Sequence, residues 1–245
     1  MKLLKDIKPS RILFLDIETV PMVASYDEMP ENLRALWDKK SSYFRSDDES
    51  ADDVFSRAGI YSEFGKIVCI SVGFIIEREN GMSLRLKSFF GHDEKALLED
   101  FAVMINNFST GRDTMLCAHN GKEFDYPFIA RRMLISGISI PAVLDNAGKK
   151  PWEINLLDTM ELWKFGDYKH FTSLELIASL LGVPTPKDDI DGSMVADVYY
   201  REKDIARIAR YCEKDVVALT QVFLRFRNDR LIDPSGIESV SGFED

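Results

Sequence analysis

The sequence predicts an α/β domain with a mixed central sheet, and three observations predict it. Segments rich in Ile, Leu, Val and Phe at 11–18, 66–76 and 82–90 read as strands, the last two joined by the turn signal Asn80-Gly81. Farther on, apolar residues recur at helical spacing in 93–108, 126–136, 174–181 and 203–228. The short apolar stretches 114–118 and 154–158 between them read as buried strands. The expected order is three antiparallel strands, then helix, strand, helix, strand, helix and helix.

Each element carries its own signals. Asp93 is placed to cap the first of these helices, and Asp125 the second, where Pro127 is tolerated in the first turn and Gly137 lies just past the end. Thr172-Ser-Leu-Glu175 matches a capping box, and Gly182 with Pro184 stops the helix that follows. In the last helix, Ile205, Ile208, Ala209, Cys212, Val216, Leu219 and Phe223 form one apolar stripe. The segment 26–62 contains the polar, acidic run Ser41 to Asp53 and is expected to be an insertion, partly mobile, in a single domain of residues 1–233. Leu33, Leu36, Trp37, Val54 and Phe55 give it packing capacity, and a lid is one role open to it. Residues 234–245 are expected to be a flexible tail.

Bulk properties narrow the function. The chain has 245 residues, enough for one sizeable core, with 45% hydrophobic and 29% charged residues, which excludes global disorder. Its longest nearly unbroken apolar run, 67–76, is half the roughly 20 residues of a membrane span, and the charged N-terminus lacks a secretory pattern, so a cytoplasmic location is expected. Cys69, Cys117 and Cys212 are odd in number and far apart, the pattern of buried free thiols rather than of disulfides or a zinc site. A net charge of −10 argues against a protein that tracks duplex DNA on a basic face. It is compatible with an enzyme that grips a strand end, because bound cations reverse the local field.

The residues that carry chemistry are acidic. In a strand, Asp16 and Glu18 project to one face while Leu15 and Ile17 face the other. Two carboxylates so close in an apolar strand call for neutralisation by a cation, and hard oxygen ligands favour magnesium or manganese. A strand that simply ends in solvated acids remains the alternative. Asp125 lies between a strand and a helix, where capping is its bland role. On the last helix, Tyr211 and Asp215 share a face at i, i+4, which also suits an ordinary core margin.

Taken in order, Phe14-Leu-Asp-Ile-Glu-Thr19, Asn120 through Phe124-Asp125, and Tyr211-x-x-x-Asp215 resemble the three motifs of the DEDDy 3′→5′ exonucleases, closest to the proofreading domains of family-B DNA polymerases. The resemblance runs from about Arg11 to Arg225 and implies a ribonuclease H-like fold. It implies two divalent ions, Mg2+ or Mn2+: one at Asp16, Glu18 and Asp215 for the attacking water, the other at Asp16 and Asp125. Tyr211 would orient the nucleophile, and Thr19, Asn120 and Phe124 would contact the substrate. That substrate would be the 3′ end of single-stranded nucleic acid, DNA favoured over RNA, released as nucleoside monophosphates. Replication or repair proteins are the expected partners.

The family's histidine-type variant places its base where this chain has Arg210, so His119 and His170 are read as structural, and Asp158 as a supporting residue. Trp163, Phe165, Tyr168 and Phe171 could stack on bases, and Lys122, Lys164, Lys169 and Lys187 could meet phosphates, although packing or solvation is the commoner fate. Two other functions stay open: a silent nucleic-acid-binding or scaffold protein on the same fold, and a ribonuclease H-like endonuclease.

Overall fold

Alternation along Leu13 to Glu18 sends Leu13, Leu15 and Ile17 to one face of the sheet and Phe14, Asp16 and Glu18 to the other. This strand, β1 (Ile12–Pro21), lies at the centre of the fold. The structure is a computed structural model, and it describes residues 2–79, 81–110, 113–150, 153–167, 171–184 and 189–243.

β1 pairs antiparallel with β2 (Gly65–Arg78), which pairs antiparallel with β3 (Gly81–Phe90). On its other side β1 runs parallel to β4 (Met115–Ala118), and β4 parallel to β5 (Leu156–Asp158). A short β6 (Ile237–Ser239) adds in parallel to β3, for the order β5-β4-β1-β2-β3-β6. Asn80 of the expected hairpin turn lies outside the described residues. The strand pattern read from the sequence holds, with β1 and β2 longer than expected at their ends.

Among the described residues the helices are α1 (Lys2–Lys5), α2 (Glu31–Ser41), α3 (Glu94–Ser109), α4 (Asp125–Ile135), α5 (Thr159–Lys164), α6 (Leu174–Leu180), α7 (Val195–Asp197) and α8 (Ile205–Arg227). Leu13, Leu15, Ile17, Ile70 and Val72 pack with Leu98, Phe101 and Ile105 of α3 and Ile129 and Met133 of α4. On the opposite face α8 lies across the sheet, with Phe14 against Phe223, ring centroids 5.4 Å apart. Gly73 of β2 permits this approach, since a Cβ there would stand 2.8 Å from Val216 Cγ1. Close approach at this position brings the Tyr211–Asp215 turn of α8 over β1.

Several boundaries differ from expectation for local reasons. Asp93 does cap α3, its carboxylate accepting from Lys95 N and Ala96 N. The α6 cap is Ser173 rather than Thr172: Ser173 Oγ accepts from Leu176 N, and the Thr172 carbonyl takes a hydrogen bond from His119. α8 begins at Ile205 instead of Lys203: a π-helical turn, Val198–Glu202, ends in left-handed Lys203, and Asp204 then caps the helix through Arg207 N. The stretch assigned to a loose tail carries β6 and its ladder bonds, with residues 244–245 outside the described set.

The insertion expected at 26–62 forms α2 and a small core of its own. Trp37 is fully buried, packs against Phe44, Phe55, Tyr61 and Phe64, and donates Nε1–H to Ala51 O at 2.8 Å. The unit closes tightly on the end of β1, where a Cβ on Gly59 would stand 3.1 Å from Pro21 Cδ. It therefore forms a packed wall beyond Glu18.

Candidate active site

β1 delivers the first two carboxylates. Asp16 stands opposite Ser71 and Glu18 opposite Cys69 on β2, and the register slips between Glu18 and Thr19, leaving Val68 as an extra residue. Such a bulge turns the strand and re-aims the side chains that follow it. Beside it, Ile67 N donates to Glu94 Oε1 at 2.7 Å. Glu94 is in turn held by Arg132 of α4, with Nη2 to Oε2 at 2.5 Å, so α3, α4 and the bulge are locked together.

The loop after β4 delivers the third. Asn120 adopts a left-handed conformation, φ 61°, which Asn tolerates better than most residues. Gly121 follows where a Cβ would stand 2.4 Å from Ala118 Cβ, so only glycine fits. The loop is fixed by Asp158 at the end of β5. Its Oδ1 accepts from Asn120 N at 3.0 Å and Met160 N at 2.9 Å, and its Oδ2 from Lys122 N at 3.1 Å. Asp158 is thus both the N-cap of α5 and the anchor of the loop, and the spacing Asp158-Thr-Met-Glu161 is a capping signal that locates it from sequence.

Asp125 is not the cap of α4. It is the first helical residue, the cap position is Phe124, and no side chain caps there. Asp125 is 2% exposed, and its Oδ1 has no hydrogen-bond partner. A buried carboxylate oxygen without a donor is costly unless a cation meets it.

α8 delivers the last two residues. The Tyr211 hydroxyl donates to Asp215, and burial followed by the Asp215 charge pushes the phenol above its usual range. Cys212, read from sequence only as part of the apolar stripe, points at β1: its thiol lies 3.3 Å from Asp16 Oδ2 and 3.4 Å from Asp16 O. One ligand atom each from Asp16, Glu18 and Cys212 lie within 4.8 Å of one another.

The electrostatics bind these residues into one site. Burial pushes Asp16 well above the usual carboxylate range, and Asp215, Asp125 and Glu18 push it further. Burial and then Asp215 do the same for Glu18, with Cys69 and Asp125 adding to it. Asp125 is raised to about 7, chiefly by burial, with Asp158 contributing. Four acids from β1, α4 and α8 therefore repel one another in a largely dry setting. Their hard oxygens and the unpartnered Asp125 Oδ1 fit divalent cations.

Of the residues expected to meet substrate, Thr19 follows the bulge and is half-buried, Asn120 Oδ1 is buried without a partner, and Phe124 packs on Phe128 at 5.4 Å between centroids. His119 is tied into the fold: Nε2–H donates to Thr172 O at 2.8 Å and Nδ1 accepts from the Thr159 hydroxyl at 2.9 Å. Trp163 stacks on Phe226, while Phe165 and Phe171 are exposed. Lys122 pairs with Glu161 at 2.5 Å. Tyr168, Lys169, His170 and Lys187 lie outside the described residues.

Comparison with solved structures finds the family B DNA polymerase of the hyperthermophilic archaeon Pyrobaculum calidifontis, with a TM-score of 0.52 and 18% identity over 89% of this chain. The match covers 24% of the polymerase chain, and at this identity it speaks for the fold alone, an α/β, ribonuclease H-like arrangement around the mixed six-stranded sheet. No curated protein sequence matches. A family model described as a predicted 3′-5′ exonuclease related to the exonuclease domain of PolB matches residues 60–232, a stretch that includes Asp125, Tyr211 and Asp215 and begins after β1. With most of its length matched, the chain belongs to this family of predicted 3′-5′ exonucleases related to the exonuclease domain of PolB.

Proposed function

We propose that the chain removes nucleoside monophosphates one at a time from the 3′ end of single-stranded nucleic acid, with DNA favoured, by hydrolysis that depends on two divalent ions, Mg2+ or Mn2+. The observation that carries this reading is the convergence of Asp16, Glu18, Asp125 and Asp215, with Asp125 Oδ1 buried and unpartnered.

Asp16, Glu18 and Asp215 would hold one ion, and Asp16 with Asp125 the other. Bound there, such ions supply Lewis acidity that activates water and neutralises a departing 3′ oxygen. The chain's own groups do the rest. Tyr211 keeps its proton near neutral pH and donates it in a hydrogen bond to Asp215, so its hydroxyl oxygen would accept from the attacking water and orient it. Asn120, whose buried Oδ1 has no hydrogen-bond partner, would accept from a substrate hydroxyl. The insertion walls off the end of β1.

The test combines calorimetric titration with Mn2+ and digestion of 5′-labelled single-stranded DNA and RNA whose 3′ ends are free or blocked. Stepwise shortening of free ends alone is expected, with Asp16→Asn inactive. Absence of Mn2+ binding, or intact oligonucleotides, would sink the enzymatic reading in favour of a silent binding protein. Cutting of 3′-blocked substrate would identify an endonuclease instead.

A further inference from the structure

The chain beyond the family match returns to the helix turn that carries Tyr211 and Asp215. β6 pairs with β3 from Leu84↔Ile237 to Leu86↔Ser239, and Val240 N donates to Leu86 O at 2.9 Å. Just past it, Ser241 Oγ accepts from Ser88 N at 2.7 Å and donates to Glu213 Oε1. Ser239 Oγ donates to the same oxygen at 2.9 Å, and Ser88 Oγ at 3.0 Å. Phe243 then stacks on Phe90 with centroids 5.7 Å apart, and the Arg210 guanidinium lies 5.0 Å from its centroid. Arg210 and Glu213, the two α8 residues held in this way, flank Tyr211 and Cys212.

Glu213 is 6% exposed. A buried carboxylate stabilises nothing unless its oxygens are met by donors, and two of the three hydroxyls on Oε1 come from the C-terminal segment. With that segment undocked, Glu213 retains only Ser88 among the described residues, and the helix turn is drawn toward water. The polar row continues to the acids. Ser88 has its hydrogen committed to Glu213, so Ser71 donates to Ser88 Oγ at 2.7 Å, and the Cys69 thiol lies 3.5 Å from Ser71 Oγ. Ser71 and Cys69 are the partners of Asp16 and Glu18 across the β1–β2 ladder.

We propose that residues 237–243 are a C-terminal clasp in which Ser241, Phe243 and their partner Glu213 are positioning residues, holding the Tyr211–Asp215 turn against β1 so that the acids bind metal together. The proposal rests on the hydrolytic reading above for its catalytic consequence. Displacements of about 1 Å at such a site are worth roughly a hundredfold in rate, so a modest release of α8 is enough to register.

The experiment compares the unaltered chain with a truncation after Asp233, with Ser241→Ala and with Glu213→Gln, which still accepts hydroxyl donors. Mn2+ affinity is measured without substrate, amide exchange is followed in residues 208–216 and in α3, and kcat and KM are taken on a single-stranded oligonucleotide. Truncation and Ser241→Ala are expected to weaken Mn2+ binding and lower kcat by roughly tenfold or more, with KM little changed. Exchange should quicken in 208–216 but not in α3, and Glu213→Gln should retain most of the affinity.

Unchanged affinity and exchange in Ser241→Ala would reduce β6 to an edge cover. Equal acceleration of exchange in both helices would make the segment a general stabiliser, which also overturns the proposal. If truncation prevents folding, Ser241→Ala decides. If the unaltered chain binds Mn2+ but cuts no oligonucleotide, the hydrolytic reading fails alone, and the clasp is judged by affinity and exchange. If it binds no Mn2+, both fail.

Discussion

Asp158 Oδ1 accepts the backbone N–H of Asn120 at 3.0 Å, which joins the end of β5 to the loop that delivers Asp125. The same carboxylate also takes N–H groups from Lys122, Met160 and Glu161. Asp158→Ala removes every one of these acceptors, and buried donors left unmet cost about 1–3 kcal/mol each. A net loss of about 2–4 kcal/mol is expected in urea unfolding, with Asp158→Asn about half as costly. A loss below about 0.5 kcal/mol would mean that the loop holds itself.

Tyr211→Phe removes one hydrogen bond to Asp215 and leaves the carboxylates in place. Turnover should fall roughly 10- to 100-fold, the worth of a hydrogen bond to a charged group, with Mn2+ affinity retained. Asp215→Ala should abolish both. Calorimetry and single-turnover digestion separate these outcomes, and equal loss of Mn2+ affinity in the two variants would contradict the assigned roles.

Folding without metal carries a pH signature. Asp16, Glu18 and Asp125 bind protons more tightly in the folded chain than in the unfolded one, so stability falls where the unfolded chain has already released them. Their contribution is full below about pH 4, the unfolded value, and is lost as pH rises through about 7, where Asp125 titrates. Carboxyls shifted the other way, such as Asp229, act below that window. In chelator the melting temperature should decline from pH 4 to 7, by roughly 2–4 °C per kcal/mol. Mn2+ at pH 7 should reverse the decline. Asp16→Asn should flatten the curve, raise the metal-free melting temperature at pH 7 and remove the response to Mn2+. A lower metal-free melting temperature for Asp16→Asn at pH 7 would show that the carboxylates do not repel one another there.

Trp37→Ala empties the small core of the insertion and strands the Ala51 carbonyl. A loss of about 3–5 kcal/mol is expected for that unit. Limited proteolysis should open 31–64 first while amides in 67–76 keep their protection. Simultaneous loss of both would show that the insertion and the sheet unfold as one.

Much of the fold is local and therefore legible. β1, β2 and β3 announce themselves by β-branched and aromatic runs, and the stripe of α8 by its period, since these depend only on which side chains share a face. The cap of α3 at Asp93 follows from a residue type whose side chain meets its own helix. Other features needed partners distant in sequence. Ser173 rather than Thr172 caps α6, and His119, some fifty residues earlier, ties down the Thr172 carbonyl beside it. The π-turn before α8 and the pairing of β6 likewise follow from what lies beside them, not from their own composition.

The site divides in the same way. Sequence order and spacing alone determined that Asp16 and Glu18 share a face, that Tyr211 and Asp215 share another, and that Asp125 sits where a strand hands over to a helix, because strand and helix periods are geometric constants. The tertiary structure decided that these faces meet. Gly73 lets α8 close on the sheet, Asp158 seats the loop, and Cys212, buried in the apolar stripe, also brings its thiol to Asp16. It also decided which reading of Asp125 survives, since burial without a hydrogen-bond donor for Oδ1 is a property of the surrounding packing and cannot be carried by any one segment.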